Sequence, residues 1–271
     1  MSKRINTVFS KLKIAKTPAF IPFVTAGDPN LDLSFETIKV LAAAGADIIE
    51  IGMPFSDPMA DGKVIQDSSL RALRSGTTLL KTIKLIKKFR VFDKFTPVVL
   101  MGYYNPIYNY GVKKFLDDAK NAGVDGLIIV DLPPEHDDEL CLHAIAKDID
   151  FIRLVAPTTN EKRLEKILTN TNGFVYCISI TGITGTKEAQ IATISKTVKK
   201  IRQYTKLPIA VGFGIKTTEQ ASTIAKIADA VVVGSTIVEK INFEFKQSKL
   251  DLKAIPSIKK FVESFAESIH K

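Results

Sequence analysis

Eight short apolar runs recur along the 271-residue chain, and they constrain its fold more than any other feature. They read AFIPFVTA (19–26), ADIIEIG (46–52), TPVVLMGY (96–103), DGLIIVD (125–131), FIRLVAP (151–157), FVYCISI (174–180), PIAVGFG (208–214) and ADAVVVGS (228–235). Each is rich in β-branched or aromatic residues and bounded by Gly, Pro or Asp, as strands buried on both faces are. Between them lie stretches with helical periodicity, such as LDLSFETIKVLAAAG and SSLRALRSGTTLLKTIKLIKKF. The joints also repeat: AAAGADIIEIG, KNAGVDGLIIVD and AKIADAVVVGS each run from a helix end through a short turn to Asp and a strand. Eight such units predict a (β/α)8 TIM barrel over residues 1–271, as a single domain. An N-terminal helix would precede it, and extra helices would lie in the βα loops. An open doubly wound sheet is disfavoured, because no G-x-G-x-x-G follows the first run.

A barrel of this kind carries its chemistry in the loops after the strands. That directs attention to EIGMPFSDPMADG (50–62), where Glu50 interrupts an apolar run and Asp57 and Asp61 follow. A carboxylate inside an apolar run is costly unless it is paired or used. The interval between the second and third runs predicts an enlarged loop, which holds both aspartates.

Other chemistries are removed by what the strand ends lack. No lysine lies within any of the eight runs, which disfavours a Schiff-base mechanism. The three histidines, His136, His143 and His270, have no ligand spacing, so no metal site is expected. Cys141 and Cys177 are too few and too far apart for a disulfide framework and point to a reducing, cytoplasmic setting. The formal charge of +9 raises the question of nucleic acid, but the lysines alternate with apolar residues at helical spacing, without interleaved aromatics. They read as solvated helix faces. No run is long enough to span a membrane. The basic N-terminus MSKRINTVFSKLKIAK lacks a signal-peptide core and reads as an amphipathic helix.

What remains is carboxylate chemistry without a cofactor in this chain. Carboxylates in unlike environments can divide acid and base roles. Glu50, walled by apolar groups, would have a raised pKa and could donate a proton; its other reading is a loop anchor. For Asp57 and Asp131, in SDP and DLPP, the anchoring role leads.

Glycines supply the second signal. SITGITGT follows the sixth run, GFGI closes the seventh and GS closes the eighth. Glycine lets backbone N–H groups approach an anion, and barrels often hold phosphate in these loops. Thr184, Thr186 and Lys187 fit either a mobile lid or an ordinary surface loop. Phe23, Ile65, Met101, Ile128, Leu154, Tyr176 and Phe213 lie near strand ends. With the carboxylates and a phosphate site they suggest a substrate with a flat apolar part and a phosphorylated tail.

The segments PFSDPMADGKVIQ, MGYYNPIYNYG, GLIIVDLPPE, FIRLVAPTT, SITGITG and VGFGI together resemble the tryptophan synthase α-subunit family over nearly the whole chain. The resemblance implies retro-aldol cleavage of indole-3-glycerol phosphate to indole and glyceraldehyde 3-phosphate. It implies that Glu50 is the acid/base, that Asp61 binds the indole N–H, and that Tyr176 flanks the scissile region. Gly185, Gly214, Gly234 and Ser235 match its phosphate contacts, and Thr184 matches a lid threonine. It further implies a pyridoxal-phosphate β-subunit as partner in an α2β2 heterotetramer, with Asp57, Pro58, Asn105, Pro106 and Asn109 on the facing surface.

Some residues depart from the family pattern. Lys63 stands where proline is frequent, and Ile180 and Thr181 stand where some members begin the lid with an Arg-containing segment. Arg153 is unexplained inside a strand run; an outward position between helices is one reading. Two alternatives stay open: a free-standing indole-releasing lyase, and an idle barrel that only activates a β-subunit.

Overall fold

The computed structural model describes residues 2–178, 187–212 and 214–271, with the backbone alone at 187–190. Its first half runs α1 (Lys3–Ala15), β1 (Ala19–Thr25), α2 (Leu31–Ala43), β2 (Ile49–Gly52), α3 (Lys63–Arg74), α4 (Leu79–Phe92), β3 (Val98–Gly102), α5 (Tyr104–Tyr110), α6 (Val112–Ala122) and β4 (Gly126–Ile129). The second half runs α7 (Cys141–Ala146), β5 (Asp150–Phe151), β6 (Arg153–Val155), α8 (Glu161–Leu168), β7 (Val175–Ile178), α9 (Lys187–Tyr204), β8 (Ile209–Gly212), α10 (Thr218–Ala225), β9 (Ala230–Val233), α11 (Ser235–Gln247) and α12 (Ile255–His270).

All strand pairs are parallel, in the order β5-β4-β3-β2-β1-β9-β8-β7-β6. β5 and β6 are one stave interrupted at Ile152. β5 pairs with β4 and β6 pairs with β7, so the chain itself closes the ring. The eight apolar runs are the eight staves of a (β/α)8 barrel, as the sequence predicted.

Alternation along the strands separates two cores. Ile21, Ile48, Val99, Ile128, Ile152 and Phe174 point into the barrel. Their neighbours Phe20, Ile49, Val98, Leu127, Phe151 and Val175 pack outward against the helices. α1 plugs the lower mouth, where Ile5 and Phe9 join the interior cluster and the Phe9 ring lies 5.8 Å from that of Phe174. Burying two such side chains contributes roughly 1.5–3 kcal/mol each.

The repeated aspartates have a shared structural task at this lower end. Asp47 accepts the N–H of Phe20 at 2.7 Å, Asp125 that of Val98 at 2.9 Å, and Asp229 that of Ile209 at 2.8 Å. Each thus caps the start of the neighbouring strand, and the motif is architectural.

Arg153 proves to be architectural too. Its side chain is nearly buried, lies over the Phe151 ring at 4.5 Å, and donates to the Leu132 carbonyl and to the Asp137 carboxylate. It therefore points outward, as read, but into a sealed pair. Asn170 also donates to Asp137, at 2.7 Å. Arg153→Met would strand the Asp137 charge, and the expected loss is about 3 kcal/mol in urea unfolding. A loss below about 1 kcal/mol would show that the pair is dispensable.

Candidate active site

The upper ends of β1, β2 and β3 build a narrow cleft. Glu50 lies in β2 beside Phe23 of β1 and Val99 of β3, and is 1 % exposed. Neither of its carboxylate oxygens has a hydrogen-bond partner among the described residues. Burial, reinforced by the charge of Asp61, raises its pKa from 4.5 to about 8. A loop anchor would be hydrogen-bonded, and neither Glu50 oxygen has such a bond among the described residues.

Asp61 sits just before α3 and is half-buried. Burial raises its pKa, and a hydrogen bond from the Tyr103 hydroxyl opposes that rise. Around it the cleft is lined by Phe23, Ile65, Met101, Tyr103 and Val130. Tyr176, on β7, is buried against Gly212 of β8, where a Cβ would come within 2.3 Å of the phenol oxygen. Its phenol is pushed well above the usual value by burial and then by the charge of Glu50, so it stays a neutral donor. Gly52 plays the same spatial role for Phe23, whose ring tip a Cβ would meet at 2.7 Å.

The other expected lining residues divide. Ile128 is fully buried within the barrel interior. Leu154 is half-buried and faces a second pocket with Asp131 and Arg163. Asp131 accepts the Tyr104 N–H at 2.8 Å, the anchoring role read for it. Phe213, Thr184, Gly185, Ile180 and Thr181 lie outside the described residues.

The loops expected to bind phosphate are described in part. Gly214 follows β8 with φ +59°, a conformation glycine adopts readily. Gly234 follows β9 and precedes Ser235, the first residue of α11; no side chain caps that helix. A 13-residue helix opening without a side-chain cap leaves N–H groups and a partial positive charge available to an anion.

Two residues of the cleft escaped the sequence reading. Thr25, at the end of β1, is 3 % exposed and its hydroxyl has no partner among the described residues. It lines the cleft beside Asp61. Tyr103 reads in sequence as one more core aromatic, although its hydroxyl reaches the loop that carries Asp61.

This geometry has relatives. The family model described as tryptophan synthase alpha chain matches residues 9–269. The chain belongs to the tryptophan synthase alpha chain family. A solved alpha chain from Legionella pneumophila subsp. pneumophila is 36% identical, with a TM-score of 0.89 over 99% of this chain and 97% of that one. A structure from Aquifex aeolicus VF5 is 34% identical with a TM-score of 0.88, covering 100% of both chains. The aminoacrylate-bound tryptophan synthase from Mycobacterium tuberculosis is 28% identical with a TM-score of 0.87, over 98% of this chain and 99% of that one.

Residues expected on an alpha chain's partner surface lie beside the cleft. Asp57, Asn105 and Asn109 are exposed, and Pro58 and Pro106 are half-buried. Asn109 donates to Asn105 at 3.0 Å. Two large apolar side chains next to them, Met59 and Tyr108, are 86% and 66% exposed. Lys63 opens α3 and pairs with Asp67 one turn on, so it starts the helix without proline.

Among the described residues no helix is long and apolar enough to cross a membrane, and no group of His, Cys, Asp and Glu could hold a metal ion.

Proposed function

We propose that the chain cleaves indole-3-glycerol phosphate to indole and glyceraldehyde 3-phosphate as the alpha subunit of a tryptophan synthase. The observation that carries this reading is Glu50, an unpaired buried carboxyl with a pKa near 8 beside Asp61. Glu50, protonated at neutral pH, gives its proton to C3 of the indole ring. The resulting indoleninium cation is stabilised by the Asp61 carboxylate at the ring N–H. The bond from C3 to the glycerol carbon then breaks and its electrons return to the ring. The adjacent hydroxyl becomes the aldehyde, and its proton goes back to Glu50, so the step is proton-neutral. Tyr176 flanks the scissile bond. Gly214, Gly234 and Ser235, with Gly185, hold the phosphate through backbone N–H groups. Thr184 closes the lid.

The apolar residues Phe23, Ile65 and Met101, which line the cleft with Asp61, make up the indole pocket together with Phe213, while Ile128 supports it from the barrel interior and Leu154 faces the neighbouring pocket. No cofactor is required in this chain; pyridoxal phosphate belongs to the partner β-subunit. The α2β2 assembly uses Asp57, Pro58, Asn105, Pro106 and Asn109, a placement supported by exposed Met59 and Tyr108. Two buried free thiols, Cys141 and Cys177, accord with a cytoplasmic setting.

Indole release by the purified chain, with and without a β-subunit, tests the assignment. Slow release alone and strong stimulation by the partner are expected. Fast unassisted release would make it a free-standing lyase, and no release in either condition would leave only an activating role.

A further inference from the structure

Tyr103 follows β3 directly and is 4% exposed. Its ring packs on Phe55 with centroids 5.3 Å apart. Its hydroxyl accepts the Ala60 N–H at 3.0 Å and shares the lining of the cleft with Asp61, the next residue of that loop. One side chain therefore holds Phe55 and Ala60 of the loop between β2 and α3, the loop that carries Asp61. The other contacts of Asp61 are backbone ones: its N–H donates to the Pro58 carbonyl at 3.0 Å, and its carbonyl accepts from Gln66 Nε2 at 2.9 Å. Tyr103 is the side chain whose hydroxyl, anchored on Ala60, lies in the cleft with the carboxylate itself.

We propose that Tyr103 is a positioning residue acting through Asp61, aiming its carboxylate into the cleft and holding it as an anion. The inference rests on the reading that Asp61 stabilises positive charge on the substrate ring. Charge stabilisation of that kind requires an ionised carboxylate at a fixed place before the charge develops. Partial burial works against ionisation, and the phenol hydrogen bond works for it. The titratable groups that face this pair are Glu50 from β2 and Asp131 after β4. Lys63, the nearest cation in the sequence, pairs with Asp67 instead. The backbone N–H of Ala60 orients the phenol oxygen, leaving its proton directed to Asp61.

Activity needs ionised Asp61 and neutral Glu50, so kcat/KM against pH has an acid limb set by Asp61 and an alkaline limb set by Glu50. In Tyr103→Phe the ring still packs on Phe55, but the donor is gone. The pKa of Asp61 rises, and the acid limb moves to higher pH while the alkaline limb stays. The expected fall in kcat/KM at neutral pH is roughly 10- to 100-fold, the worth of a hydrogen bond to a charged group. Inhibition by glycerol 3-phosphate, which probes the phosphate loops, is expected to be unchanged. Placing 3-fluorotyrosine at position 103 supplies a stronger donor and should move the acid limb the opposite way. A fall in rate with an unmoved acid limb would reduce Tyr103 to a packing residue and overturn the proposal, as would no change at all. Carboxyl 13C NMR of Asp61 reads the same titration without turnover. If wild type released no indole, the functional reading would fall, while a raised Asp61 midpoint in Tyr103→Phe would still uphold the contact and an unchanged one would remove it.

Discussion

Glu50→Gln is expected to lower indole release by roughly 10²- to 10⁴-fold, the range for loss of a general acid, while making the fold less sensitive to alkaline pH. Both effects have one cause. The Glu50 carboxyl is buried with no hydrogen-bond partner among the described residues, and its pKa is about 8 against 4.5 when solvated. The folded state therefore binds this proton more tightly than the unfolded state. Stability from this group is fully present below about pH 4.5 and is lost as pH rises through 8. The full cost of ionising it in place is on the order of 5 kcal/mol. Glutamine has almost the same shape and no charge to bury. Thermal melts between pH 5 and 9 should show wild type falling more steeply than Glu50→Gln. Parallel curves would mean that Glu50 is solvated or paired.

Asp61→Asn should be nearly as damaging, because it keeps the side chain's bulk and removes its charge. Loss of one preorganised group facing developing charge costs roughly 10²- to 10³-fold. It should also reach Glu50. The charge of Asp61 is the second cause, after burial, of the raised Glu50 pKa. In Asp61→Asn the pH at which stability declines should therefore shift downward, though burial keeps it well above 4.5. A fold whose pH profile is identical to wild type would place the two carboxylates too far apart to act on one substrate.

The barrel was legible because parallel strands covered on both faces read as unbroken apolar runs, and Glu50 was legible because it breaks one. The division of the fifth stave at Ile152 was not legible, since it depends on which neighbour each half pairs with. Arg153 gave no account of itself in sequence, because its partner Asp137 lies on a separate loop 16 residues away. Asp131 was read correctly as an anchor from its turn-forming context. Thr25 and Tyr103 were missed for a common reason. A threonine ending a strand and a tyrosine in an apolar run are ordinary core residues until a fold shows where their hydroxyls end. Tyr103 meets Ala60 across 43 residues of sequence, a separation no periodicity records.

The central claim is that Glu50 acts as a neutral acid at physiological pH. The most direct test is single-turnover indole release from indole-3-glycerol phosphate, followed from pH 6 to pH 10. An alkaline limb with a midpoint at about 8 is expected. A rate that stays level through pH 10 would contradict it, because a carboxyl already ionised could not be supplying the proton.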